Sequence, residues 1–208
     1  FRYLILSKVE EPKFKEDLTG VVDEAAYYIQ LYNKFSCSLH SRSGAQELCN
    51  LILKMMTFTH EHHFFDTYFS LLHSLVTEYD KSRNYLEASY LLSIHSEYLK
   101  LNDDNLLEFE YGLYEVKKLP ATMSWKRRLF LLEKAITFSE KAFAWERSLS
   151  LIEKLIRDIR FLGENHELLR KYLQKEIDLL DFLSNSTRLP PSFFMVSYND
   201  GGFHGEEG

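Results

Sequence analysis

Cysteine, proline and glycine are all scarce in this chain, whose 208 residues hold two cysteines, four prolines and eight glycines. Cys37 and Cys49 are too few for a disulfide framework and lack metal-ligand spacing, so a reducing compartment and a cytoplasmic location are expected. Proline and glycine punctuate turns, and their rarity leaves long stretches free for helix. Four of the glycines crowd into the last eight residues, a compositional break that is expected to end the domain proper. Positive charge is also in deficit: 25 basic against 31 acidic side chains give a net charge of −6. No general attraction to phosphate backbones or anionic lipid follows from that balance, which argues against nucleic acid as a partner. No run approaches the roughly 18 apolar residues needed to cross a bilayer. The opening Phe1-Arg2-Tyr3-Leu4-Ile5-Leu6-Ser7 is too short for a signal sequence. It carries no initiator methionine, which leads to the expectation of a piece cut from a longer polypeptide.

What is abundant is aromatic. Thirteen Tyr and 16 Phe accompany 45% apolar and 27% charged residues, the make-up of a folded domain. Apolar stripes recur at helical spacing: Val22, Ala26, Ile29 and Tyr32; Leu48, Ile52 and Met55; Phe65, Phe69, Leu72, Val76 and Tyr79. A further stripe, Tyr85, Ala88, Ser89, Leu92, Ser96 and Leu99, carries small residues where a neighbouring helix can approach closely. The link Asp80-Lys81-Ser82-Arg83 is short enough to force an antiparallel pair. Asn84 reads as an N-cap with Glu87 three residues on, a variant capping box. Pro120 disfavours helix at the residue before it, so residues 102 to 123 read as an irregular insert. Beyond it lie the stripes Leu129, Leu132, Ile136 and Trp145, Leu149, Ile152, Ile156, Ile159, then Gly163 as a C′ residue and Asn165 as an N-cap. The last stripe is Leu169, Leu173, Ile177, Leu180 and Leu183. After Pro190-Pro191, Phe194, Val196 and Tyr198 alternate with Met195 and Ser197 as a short strand that needs partners elsewhere. The expected fold is all-α, an antiparallel helix-hairpin array resembling tetratricopeptide repeats, closed by that strand. Tyr85-Leu86-Glu87-Ala88 overlays Trp145-Glu146-Arg147-Ser148 as a weak internal repeat, at an offset unlike that of tandem tetratricopeptide units.

Candidate sites are sparse. His60-Glu61-His62-His63 is the one hint of a metal, but Phe64 stands where a zinc-protease helix needs its second histidine, so a polar helix start is the plainer reading. His95 reads as a hydrogen-bonded structural histidine. Lys126-Arg127-Arg128 reads as a solvated face. No catalytic pair, phosphate-binding loop, cofactor site or metal site is evident. Trp145 and Leu149 are expected in the core between the two helices of the second pair. Leu91, Ile94 and Tyr98 add apolar surface beside the packed stripe and form a candidate homodimer interface.

Three blocks resemble the exchange domain of the dedicator-of-cytokinesis (DOCK) family of guanine-nucleotide exchange factors, also called DOCK homology region two. The first is Asn84-Tyr85-x-Glu87-Ala88-x-Tyr90-x-Leu92-x-x-His95. The second is Glu133-Lys134-Ala135-Ile136 followed by Trp145-Glu146 with Leu149 and Leu151. The third is Pro191-Ser192-Phe193-Phe194-Met195-Val196-Ser197-Tyr198 closing on Gly202-Phe203. It departs from the family pattern at Asp200, where a glycine is usual, and at His204, where a proline is. The resemblance implies a segment 1–59 leading into a helical first lobe at 60–189, and the start of a second lobe at 190–208. It further implies a scaffolding, homodimeric role for the first lobe, with Asn84, Tyr85, Glu87, Ala88, His95, Trp145 and Glu146 as structural motif residues. The lobes that grip a Rho or Rac-type GTPase and carry the nucleotide-sensing valine have no counterpart in this chain, so no exchange by the chain alone is expected. Recruitment of the full-length protein to the membrane and an ELMO-type adaptor partner belong to the same implication. The competing readings are a tetratricopeptide-like adaptor holding a peptide in its concave surface and a metal-dependent enzyme built on His60 to His63.

Overall fold

The computed structural model describes residues 12–40, 44–103, 106–111, 117–163 and 165–185. In chain order these form helices α1 (Pro12–His40), α2 (Ala45–Glu61), α3 (Phe65–Lys81) and α4 (Tyr85–Tyr98), then strands β1 (Leu106–Tyr111) and β2 (Lys117–Met123), then helices α5 (Ser124–Lys141), α6 (Trp145–Leu162) and α7 (His166–Asn185). The mostly helical array anticipated from the stripes is what forms. The strand expected around Phe194 to Tyr198 lies outside the described residues. Among those residues, no helix is long and apolar enough to cross a membrane.

Each helix packs on the next, and the core is one continuous cluster running from Leu31 to Leu183. It crosses residue 60, which lies inside α2. The three tight turns share one geometry. His63, Arg83 and Phe143 sit in the left-handed region at φ 60°, 62° and 55°. The next amide in each turn, that of Phe64, Asn84 or Ala144, donates back to the carbonyl of Thr59, Tyr79 or Ser139 at 2.8, 2.8 and 2.9 Å. These are Schellman closures, and the carbonyls of the same three residues accept the first bonds of the following helices. The geometry corrects the capping-box expectation. Asn84 does occupy the N-cap, yet its side chain makes no cap bond. Its amide is already spent on Tyr79, so Glu87 has no donor to reach back to. The correspondence of Arg83 with Phe143 gives the weak repeat its structural basis. Farther on, Gly163 ends α6 at φ 72°, and the Asn165 side chain accepts from the Leu168 amide at 2.9 Å.

Within 102 to 123, the described residues 106–111 and 117–123 are not irregular. Two antiparallel strands form there, with Leu107 opposite Thr122 and Phe109 opposite Leu119. One residue separates the first partners and two separate the second, so β2 bulges at Pro120-Ala121, where proline costs no ladder bond. Lys118 pairs with Glu110 across the strands.

The end helices differ from the expected stripes. Among the described side chains of α1 the buried ones are Leu31 and Phe35, with Tyr28 stacked on Phe58 of α2 at 4.8 Å, while Ile29 and Tyr32 are exposed. In α7 they are Tyr172, Leu179 and Leu183, and Ile177 and Leu180 are exposed. Both helices carry two adjacent apolar stripes, and the neighbour covers only one.

Candidate functional site

The residues of the Asn84–His95 motif lie at the centre of the array, where α4 meets α5 most extensively. Ala88, Ser89 and Ser96 are fully buried on α4, as are Ala135 and Ser139 on α5 and Ser148 on α6. Small side chains here let three helix backbones close on one another, and the hydroxyls are satisfied locally. Ser139 and Ser148 bond at 2.8 Å across the α5–α6 turn, and Ser96 donates to the Ser93 carbonyl at 2.6 Å. Tyr85 stacks on Phe138 with centroids 6.1 Å apart, under the Lys141 ammonium. Glu87 and Glu146 stand on the exposed side of their helices.

His95 is buried, and its Nδ1 lies 2.8 Å from Nε2 of His73 on α3. Phe69 stacks on the His95 ring at 4.2 Å, and Phe109 and Tyr111 of β1 close over the pair at 4.9 to 5.4 Å. Burial in this aromatic box pushes His73 down to about 3 and His95 to about 4, helped at His73 by its partner and at both by Arg127. Both rings are neutral at neutral pH, one donating and the other accepting. This pair anchors the hairpin on the helices, and its two facing nitrogens are spent on each other.

Two of the three basic residues at the start of α5 are interior, not solvated. Arg127 is 4% exposed and donates to the Pro120 carbonyl at 2.8 Å, which holds β2 on the helix. Arg128 grips both oxygens of Asp158 on α6, at 2.6 and 3.1 Å, and donates to the Ser96 and Leu99 carbonyls at the end of α4. One guanidinium thus caps α4 and locks α5 to α6. A second, Arg147, lies 3.4 Å over the Tyr90 ring and donates to Ser89 and Ser93. A run of charge in the first turns of a helix gives no sign of this; the isolated Asp158 on the apolar stripe of α6 is the available signal.

Trp145 is only half-buried, and Leu149 likewise. Trp145 packs edge-on against Phe182 of α7 at 5.1 Å and against Phe143, so it sits between α6 and α7 and not inside the α5–α6 pair. The edge-on contact with Phe182 is what draws the ring to α7. Of the candidate dimer residues, Leu91 is 9% exposed, Ile94 is half-buried and Tyr98 is 44% exposed. Leu91 and Ile94 line a groove of about 360 Å³ with Leu53, Met56 and Tyr68. The Tyr98 hydroxyl bonds His60 at 3.0 Å. His62 faces Glu24 at 3.6 Å and His63 supplies the turn, so each histidine of the cluster has a separate local role. Among the described residues no three His, Cys, Asp or Glu side chains stand together as metal ligands.

No protein-family profile matches this chain. It is 22% identical over all 208 residues to human dedicator of cytokinesis protein 4, and 27% identical over 142 residues to the mouse protein of that name. The likeness supports a relationship to the dedicator-of-cytokinesis family. It covers the whole chain but only 10% of the human protein, and 68% of the chain but 6% of the mouse protein.

Proposed function

We propose that this chain is the helical first lobe of a dedicator-of-cytokinesis exchange domain, with residues 1–59 leading in, 60–189 forming the lobe and 190–208 opening the next. Its work is structural. It holds the lobes that engage a Rho or Rac-type GTPase and pairs with a second copy through the face bearing Ile94 and Tyr98, Leu91 being largely covered by its own chain. An ELMO-type adaptor and membrane recruitment belong to the longer protein. The observation that carries the reading is the whole-length similarity to the human protein; within the family-like motif, Ala88 and His95 fall in the buried seam of the array. The fully packed seam supports a scaffold over a catalyst: its buried polar groups are bonded to one another, and among the described residues none is left unsatisfied.

Exchange requires groups directed at the nucleotide-free GTPase. Fluorescent-nucleotide release from a panel of Rho and Rac-type GTPases should therefore be unchanged by this chain and accelerated by a polypeptide extended past Gly208. Acceleration by the chain alone would remove the supporting role, and silence from a folded extended protein on every GTPase would remove the exchange reading.

A further inference from the structure

The hairpin does more than cover the histidine pair. Between it and helices α3, α4 and α5 lies an open cleft of about 200 Å³ whose apolar wall is made by Val76, Leu92, Leu131 and Phe138. By volume it takes a body about the size of one benzene ring, for which ~150 Å³ suffices, and its open side leaves room for a polar group. Its polar lining comes from different elements: Lys117 of β2, Lys134 of α5, Tyr111 of β1, and Thr77 and Asp80 of α3. Lys118, next to Lys117, is matched to Glu110, and Lys81, next to Asp80, to Glu78. Among the described residues neither Lys117 nor Lys134 has such a partner. Lys134 rests on the Phe130 ring at 4.7 Å, which holds its ammonium at the rim. His73 in the wall is neutral, so two lysines against Asp80 leave the rim with one net positive charge in a chain of net charge −6.

We infer that this cleft is a binding site for an organic carboxylate with an apolar body about the size of one ring. The carboxylate sits at the rim between the Lys117 and Lys134 ammoniums, the ring lies against Leu92 and Leu131, and Asp80 disfavours a second negative charge. Neither the structural role proposed above nor the motif residues explain a half-apolar cleft with two unmatched cations on its rim. Burial of the ring and charge-assisted bonding at the rim act on separate parts of the ligand, which makes each removable without the other.

The test is a titration of the whole chain with sodium benzoate, followed in amide proton–nitrogen spectra, with acetylphenylalanine as the carboxyl end of a peptide and benzyl alcohol as the uncharged control. Benzoate or acetylphenylalanine should move the amides of Leu92, Tyr111, Lys117 and Lys134 with a Kd on the order of a millimolar. The tighter of the two identifies a free acid or a chain terminus as the source. Benzyl alcohol should bind about tenfold more weakly, and the exposed substitutions Lys117→Met and Lys134→Met, checked for folding by circular dichroism, should each weaken benzoate about tenfold. Equal binding of benzoate and benzyl alcohol, benzoate affinity unchanged in both variants, or no carboxylate-induced shift around the cleft would overturn the assignment.

Discussion

The middle of this array and its two ends are built from similar sequence and held very differently. On α4, α5 and α6 most small and aliphatic positions are covered, Leu86 apart, and the other exposed apolar groups are aromatic rings, Tyr90, Tyr98, Phe130 and Phe161; the polar groups between these helices are locked by Arg128, Arg147 and the paired histidines. On α1 and α7 one narrow stripe is covered, and an equally apolar neighbour is left out: Ile29 is 58% exposed and Ile177 51%. In a stacked helical array each element contacts only its neighbours, so an end helix has a partner on one side and keeps whatever its other side was made for. Apolar content therefore does not measure contribution to stability here; position in the stack does.

That contrast can be broken at several points. The largest effect is expected from Asp158→Ala, which leaves the Arg128 guanidinium among apolar neighbours without its carboxylate and should cost about 3 to 5 kcal/mol. Urea unfolding checks it, and an unchanged midpoint would mean that the α5–α6 lock is ornamental. Next comes acid. His73 and His95 titrate at about 3 and 4 in the folded chain and near 6.5 when unfolded. The unfolded state then binds more protons as pH falls below that value, so the stability held above about pH 6.5 is lost towards pH 4, by about 2 kcal/mol per histidine at pH 5. A His73→Leu/His95→Leu double variant should lose less between pH 7 and 5 than the parent; an identical loss would assign the acid sensitivity elsewhere. The smallest effect belongs to the ends. Ile29→Ala should stay within about 0.5 kcal/mol of the parent, whereas Ile152→Ala in the middle should cost about 2 to 5 kcal/mol. Thermal denaturation giving the two substitutions the same shift would erase the distinction.

The same contrast governs how much was legible. Stripes such as Leu48, Ile52, Met55 and Leu129, Leu132, Ile136 were read correctly because each was the apolar face available on its helix. On α1 and α7 periodicity met two stripes a short rotation apart and had no means of choosing, since the choice is made by the position of α2 and of α5 with α6. The hairpin was missed because Pro120 was weighed as a helix breaker alone. The alternation of Phe109 and Tyr111 with Glu108 and Glu110 is a half-buried strand pattern, and Pro120 marks the bulge in its partner. At the seam, Ala88, Ser89 and His95 were legible as small or structural residues, whereas Arg127 and Arg128 were not. A guanidinium reads as surface until the carbonyls and the carboxylate that receive it, far apart in sequence, are brought together by the fold.

The hairpin also bears on the order in which the chain assembles. Every other neighbouring pair of helices is only a few residues apart in sequence, so each can form from local contacts and quickly. The α4–α5 interface, the most extensive in the molecule, can form only after the segment from Leu99 to Met123 has closed as a loop, an entropic cost that must be met before its contacts return anything. Helices α1 to α4 and α5 to α7 are thus expected to appear first as two half-arrays, with the docking of α5 onto α4 as the late step. The residues that resemble a family motif sit at the joint where two folding units become one.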